Sequence, residues 1–451
     1  MGKPGIGKSI KNLIKNDFYQ DIINLFSGMF LARLFPALFA LVIVRIYTPE
    51  NFGFFVLYLT IASVISILST GKYENAIILA ASTEERKHLF WLAQKINLLV
   101  NLAVLVIAGL YIPIAGISGH ERIVMLLLIP FYSFSLGSVQ LIRNVFIGRK
   151  RFKALSVLEV LRAVITGIFQ VLLFVFPAFG LFLGAAAAQM GVYFWYARKL
   201  PETKGFKPVV FSAEEKRLAL RYINFPKFSV ASEMFNFISS QLPVFMVKPF
   251  FGETMLGLYS FSHRYISVPI QLVSISISRV YIQKAQSLKN DLQALATLTF
   301  SLFKKQFWIG VVPFTILGLW GQEIFRFIFG ADWEFSGYLA QLLAPWLFMV
   351  MLSSPLSSIL IVFEKQKLSM NYNIILLAAR ILSLTIGGLV FRDIVWAIGL
   401  YSLTGFVFFA ALGTYSLKLA GVRLLSVGWF IFKVLMATSF PLILIKLWLL
   451  P

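Results

Sequence analysis

Long stretches of this chain are apolar without the period-two alternation of a half-buried strand or the one-sided spacing of a soluble helix. Each therefore reads as a helix apolar on all its faces. Runs of the length needed to cross the hydrocarbon core of a bilayer fall at 22–45, 52–80, 89–111, 123–145, 155–176 and 180–197. They recur at 223–247, 255–280, 302–320, 337–362, 371–390 and 395–416. A further run at 425–448, interrupted by Lys433 and Pro441, is a candidate thirteenth. The longest polar interruption, 198–222, separates six runs from six and carries seven basic residues against three acidic ones. The pattern predicts an all-α polytopic membrane protein: an N-terminal lobe at 1–197, a basic linker at 198–222, a C-terminal lobe at 223–420 and a candidate extra span within 421–451.

Composition agrees, because a chain that is 59% hydrophobic and only 13% charged has too little polar surface to coat a soluble globule. In a soluble protein the net charge of +22 would suggest nucleic acid. Here the charge follows topology: with sides alternating from a cytoplasmic start, 23 basic residues fall in predicted cytoplasmic segments and four in external loops. That asymmetry places the N-terminus and 198–222 in the cytoplasm, and no nucleic-acid partner is expected. The first run is too long, and lacks the small-residue cleavage site, for a removed signal peptide. The absence of cysteine excludes disulfides, thiolate metal sites and cysteine nucleophiles. Gly2 to Ser9 spells GxxxxGKS, but the phosphate loop of that pattern must follow a buried strand. With three scattered histidines and no metalloprotease or nucleophile-elbow motif, neither metal nor cofactor is expected, and the chain does not read as an enzyme.

The halves resemble each other. YTPENFGFFVLYLT at 47–60 and FFGETMLGLYSF at 250–261 each set an acid before a glycine with an aromatic after it. The fourth runs of both halves open on a proline and end in a basic turn. Paired runs enter the membrane in the same direction, so the repeat is a pseudo-two-fold about the membrane normal.

Charge inside the runs carries the functional reading. Three acids, Glu74, Glu159 and Glu233, face many more bases. Arg45, Arg143, Arg279, Lys304, Lys305 and Lys446 sit near span ends and can snorkel to the headgroups. Arg33, Lys95, Arg162, Arg264 and Arg380 lie nearer mid-span, where each costs roughly 2.5–3.5 kcal/mol against lipid. They should face protein or a basic, partly hydrated cavity that attracts an anion. Glu159 and Arg162 are spaced to pair on one helix face. Lys72 and Glu74, beside Gly71 in STGKYENA, mark a break in the second run and serve either a site or a local pair. Glu74 and Glu233 are candidates for coupling to H+ or Na+, with Lys72 and Lys227 near enough to pair with them.

GQEIFRFIFGADWEFSGYLAQLLAPW (321–346) with the following SSPLSSILIVFEKQK, and LFSGMFLARLFPALFALVIVRIYTPENFGFFVLYL (25–59), resemble the Wzx-type polysaccharide flippases of the MOP superfamily, which export O-antigen and capsule units. GLYSFSHRYISVP (257–269) is similar to the eighth span of the related lipid II flippases, in which an arginine at the place of Arg264 is functional. Arg33 matches a first-span basic position of the same relatives.

The resemblance implies two six-helix bundles forming a V around a central cavity lined by the first, second, seventh and eighth spans. It implies a multi-pass protein of a bacterial or archaeal cytoplasmic (inner) membrane. Its substrate would be an undecaprenyl-pyrophosphate-linked oligosaccharide, moved from the cytoplasmic to the outer leaflet by alternating access, in company with a glycan polymerase and assembly proteins. Arg33 and Arg264, with Lys72 and Lys227, would hold the pyrophosphate. The alternatives are a multidrug exporter of the same superfamily, whose cationic substrates call for an acidic cavity, and a membrane O-antigen polymerase or ligase, which needs catalytic residues on an external loop. A non-transporting envelope scaffold would leave the charges without a purpose.

Overall fold

The computed structural model describes residues 17–116, 118–177, 179–204, 210–363 and 365–449, as helices joined by short turns. Lys3, Lys8, Lys11 and Lys15, the Gly2–Ser9 pattern and Lys207 lie outside the described residues. Fifteen helices carry the architecture: α1 (Asp17–Ile46), α2 (Pro49–Ser69), α3 (Tyr73–Leu79), α4 (Thr83–Ile114), α5 (His120–Gly148), α6 (Phe152–Leu172), α7 (Gly180–Ala197), α8 (Ala213–Arg221), α9 (Val230–Ser240), α10 (Leu242–Ser287), α11 (Leu292–Phe329), α12 (Glu334–Leu356), α13 (Gln366–Thr385), α14 (Ile394–Leu419) and α15 (Leu424–Leu449). No strand occurs among the described residues. Nine helical segments of the described chain are long and apolar enough to cross a membrane, and α15 is one of them. The protein is an all-α, multi-pass membrane protein.

The apolar runs map onto these helices with two informative exceptions. The second run breaks at Gly71 and Lys72, both left-handed with φ 58° and 57°, which ends α2 and starts the short α3. The seventh run is also discontinuous. A π turn at Phe225–Ser229 leads into α9, and Gln241 ends that helix before α10 begins. Inside α10, Gly252 adopts φ 84° and ψ 179°, a conformation open essentially to glycine alone, so the seventh and eighth runs meet there.

The chain divides into two compact units, the first comprising residues 1–47 and 54–241, the second 48–53 and 242–451. In the first, α1 packs on α6, α6 on α7, and α4 on α5. Leu89, Phe90, Leu141, Ile142, Leu158, Val192 and Leu218 share its core. Leu218 comes from α8, within the polar stretch 198–222, and local chemistry explains how that stretch folds onto the bundle. Ser212 caps α8 by accepting from the Glu215 amide at 3.1 Å, while Glu215 Oε2 accepts from the Ser212 amide at 2.7 Å. The same carboxylate takes Lys95 Nζ at 2.8 and 2.9 Å, and Val210 O accepts from that amine at 2.8 Å. Lys95, expected to face either protein or a hydrated cavity, is thus committed to clamping 198–222. Glu202, wholly buried, adds an ion pair to Arg149 at 2.7 Å.

In the second unit α12 is central and packs on α10, α11 and α14, while α15 lies along α11. Its core is aromatic: Phe261 meets Trp333 at 4.2 Å, Phe329 at 4.9 Å and Phe52 at 5.5 Å between centroids. Phe430 of α15 packs edge-on against Phe300, Phe303 and Phe307. The start of α2 crosses α10 backbone to backbone. A Cβ on Gly53 would lie 1.9 Å from Glu253 O, and one on Gly257 1.8 Å from Pro49 O. The two contacts are reciprocal, each glycine facing the carbonyl four residues before the other. They join the very segments, 47–60 and 250–261, whose likeness suggested a repeat.

Candidate functional site

The first unit encloses a polar cavity of about 450 Å³. Helix α2 contributes Ser63 and Ser66, with Thr70 just beyond it; α5 contributes Gly137, Gln140 and Arg143; α6 contributes Arg162, α7 Gln189, and α9 Glu233 and Phe237. Lys72 and Glu74 enter from the break between α2 and α3. Two successive left-handed residues make the chain reverse there, so the Lys72 side chain leaves the helix axis. A lysine in that region is strained by roughly 1–3 kcal/mol and persists only where its surroundings hold it. They do so here. Asn144 Nδ2 donates to Glu74 O at 3.0 Å, and Tyr73 Oη donates to Ala219 O of α8 at 3.1 Å.

Charge in the cavity is organised in two networks. Lys72 Nζ lies 3.2 Å from Glu74 Oε1 and 2.7 Å from Glu233 Oε1, so one ammonium is shared by a buried carboxylate and a half-exposed one. Arg143 and Arg162 both hold Glu159, at 2.6 and 2.7 Å, and Arg143 also donates to Gln140 Oε1 at 2.8 Å. Every acid that the sequence places inside a span, Glu74, Glu159 and Glu233, has converged on this one place. The expected basic cavity is therefore nearly charge-balanced, because ions buried together in low dielectric must neutralise one another. Beside the ion pairs, Thr70 Oγ1, Glu74 Oε2 and Gln189 Oε1 are buried and make no hydrogen bond within the protein. Such a lining offers hydroxyls, amides and carboxylate oxygens together, the chemistry that exchanges hydrogen bonds with a polyhydroxylated or anionic guest.

The remaining sequence candidates are placed elsewhere. Lys227 is exposed on the π turn before α9, away from the cavity lining. Arg33 is half-buried on α1 in the first unit, and Arg264 half-buried on α10 in the second. Arg380, on α13, lies over the rings of Trp346 and Tyr401 at 5.1 and 5.3 Å. Arg143 is the residue that sequence reasoning missed, being set aside as a snorkelling end residue. Its signal was present: Gly137, Gln140 and Arg143 recur at helical spacing along α5, a polar stripe in an apolar span, matched on the second run by Ser63, Ser66 and Thr70.

Comparison with known proteins fits this picture. The succinoglycan biosynthesis transport protein ExoT of Rhizobium meliloti (strain 1021) is 25% identical over 67% of this chain and 60% of its own length. The amylovoran biosynthesis protein AmsL of Erwinia amylovora is 23% identical over 58% of this chain and 66% of its own. The chain thus spans somewhat less than two thirds of each of these relatives. Among solved structures, the inward closed conformation of the lipid II flippase MurJ superposes with a TM-score of 0.64, at 15% identity, over 94% of this chain and 97% of that one. An inward-facing multidrug resistance MATE family transporter of the MOP superfamily gives 0.60, at 14% identity, over 86% and 94%. These two share the fold. The model of the polysaccharide biosynthesis protein family matches residues 42–336, well over half of the sequence, and the chain belongs to that family.

Proposed function

We propose that the protein is a flippase that carries an oligosaccharide linked to undecaprenyl pyrophosphate from the cytoplasmic to the outer leaflet of the inner membrane, by alternating access. The observation that carries this reading is the polar, ion-paired cavity set among membrane helices: within a bilayer, such groups mark the path of a polar substrate. Family membership, the similarity to a succinoglycan biosynthesis transport protein and the fold shared with a lipid II flippase support it.

In this mechanism the cavity receives the hydrophilic part of the substrate. Ser63, Ser66, Gln140 and Gln189 exchange hydrogen bonds with sugar hydroxyls, while Arg143 and Arg162 turn from Glu159 toward the pyrophosphate, for which a guanidinium offers paired donors. Arg33 and Arg264 remain phosphate contacts, each within its own unit. Lys72 is the switch. It cannot fully satisfy Glu74 and Glu233 and also bind an anion, so loading shifts its pairing, and a proton or Na+ on Glu74 or Glu233 compensates. The N-terminus and residues 198–222 face the cytoplasm, and a glycan polymerase and assembly proteins take up the flipped unit at the outer leaflet. The near balance of charge in the cavity also separates this reading from a multidrug exporter, whose cationic cargo requires a net acidic surface.

The test is accessibility of the lipid-linked oligosaccharide in spheroplasts of a deletion strain to a membrane-impermeant glycan-oxidising reagent. Complementation with the native gene should restore oxidation, and the Arg143→Ala/Arg162→Ala variant at matched abundance should not. Unchanged accessibility on deletion excludes flipping; restored drug efflux instead identifies an exporter.

A further inference from the structure

A second cavity, of about 440 Å³, lies in the other unit between the end of α10 and the first half of α11. It is lined from α10 by Ile277, Tyr281 and Lys284, and from α11 by Leu298, Ser301, Leu302 and Lys305. Both sets follow helical spacing, so each helix presents one stripe that runs from apolar residues to a lysine. The wall is apolar apart from these amines and two hydroxyls, and the Tyr281 hydroxyl is already engaged, 2.9 Å from Thr299 Oγ1. No carboxylate among the described residues pairs with Lys284 or Lys305, in contrast to the cations of the first unit.

Both lysines line this one cavity. The turn between Ser287 and Leu292 is short, so α10 and α11 run antiparallel. Lys284 lies near the polar end of α10, whereas Lys305 is more than three turns inside α11. Helical side chains lean toward the N-terminus of their own helix. Lys284 therefore leans back along α10 and Lys305 toward the α10–α11 turn, so the two lean toward each other along the cavity that both line. A cleft open between two spanning helices, apolar within and crowned by two cations that no described carboxylate pairs, is the form in which membrane proteins hold anionic lipids.

We infer that this cleft is a binding site for an anionic phospholipid, its phosphate held by Lys284 and Lys305 and an acyl chain seated against Ile277, Leu298 and Leu302. The site is separate from the substrate cavity, and it stands whether or not the chain is a flippase. A bound lipid fills the gap that α10 and α11 leave, and so supports the packing of both on α12.

The experiment is native mass spectrometry of the full chain, purified in mild detergent and titrated with phosphatidylglycerol, phosphatidylcholine or a short polyprenyl diphosphate. The native protein should retain phosphatidylglycerol in preference to the other two. Lys284→Ala/Lys305→Ala should weaken that retention about 30-fold, two lysines at about 1 kcal/mol each. Ser301→Phe, which fills the cleft and keeps both charges, should weaken it as well. Lys418→Ala/Arg423→Ala, which removes two exposed charges elsewhere in the same unit, should leave it unchanged. Equal losses in the two double variants, no loss in the first, or preference for phosphatidylcholine would overturn the site. Preference for the polyprenyl diphosphate would also overturn it, reassigning the cleft to the carrier lipid.

Discussion

The two units solve the same problem, cations buried inside a membrane, by different chemistry. In the first, Lys72, Arg143 and Arg162 are met by carboxylates within 3.2 Å, and the side chains border a polar cavity. In the second, Arg380 is met by the faces of Trp346 and Tyr401, in an interior of packed aromatic rings. Carboxylate pairing leaves a network that can be redistributed when a charged guest arrives, because each ion has a competing partner. Aromatic faces offer no lone pair to exchange, so they stabilise a cation without making it available. The contrast leaves exchangeable ion pairs in the first unit and a cation held by aromatic rings in the second.

The sharpest way to break this contrast is Lys72→Met. It removes the cation shared by Glu74 and Glu233, and Glu74, 1% exposed, is left buried without its charge partner. Removing one member of a buried pair costs about 3–5 kcal/mol. Thermal unfolding in detergent should show that loss, and Lys72→Met/Glu74→Gln should recover most of it. A single variant as stable as the native protein would mean that Glu74 is neutral.

Next comes Gly257→Ala in the second unit, where the obstacle is steric. The new methyl group would overlap Pro49 O, and overpacking of this kind costs about 1–3 kcal/mol. Lower thermal stability, with a parallel loss from Gly53→Ala, is expected. Unaltered stability would show that the two backbones separate freely.

Arg380→Met should cost less, about 1–2 kcal/mol, the worth of a desolvated cation–π contact, since no carboxylate is stranded and an apolar side chain suits the aromatic surround. Measured beside Lys72→Met, it tests the comparison directly: a larger loss for Arg380→Met would reverse it. The smallest effect belongs to Glu233→Gln. Its carboxylate is half exposed, and a solvated ion pair contributes below about 1 kcal/mol. Stability should barely change, while the response of glycan export to pH or sodium should diminish; an unchanged response would remove Glu233 from coupling.

Much of this was legible in the residues. Apolar runs of spanning length gave the helices, because in lipid every backbone polar group must be satisfied within its own segment. Gly71 beside Lys72 marked a break, and the Glu159–Arg162 spacing gave an ion pair, since both depend only on neighbours along one helix. The likeness between 47–60 and 250–261 pointed to a repeat, and not to the crossing of its glycines. Partners distant in sequence were beyond such reasoning. Lys95 could face either protein or a cavity, and only Glu215, from a polar stretch that reads as solvated, decided between them as its counter-ion. Arg143 looked like a snorkelling end residue until α6 delivered Glu159 to it.

The sequence by itself determined the class of protein, the number and placing of its apolar segments and the list of charges that membrane burial makes expensive, because hydropathy and helix period are local properties. Only the tertiary structure decided which charges neutralise which. The energy of a buried ion depends on what lies within a few ångströms of it, and helix packing, not chain order, sets those distances. For that reason Glu74 and Glu233, distant in the chain, line one cavity and Glu159 pairs with two of its arginines, while Arg380, drawn from the same pool of mid-span bases, became a rivet among aromatic rings.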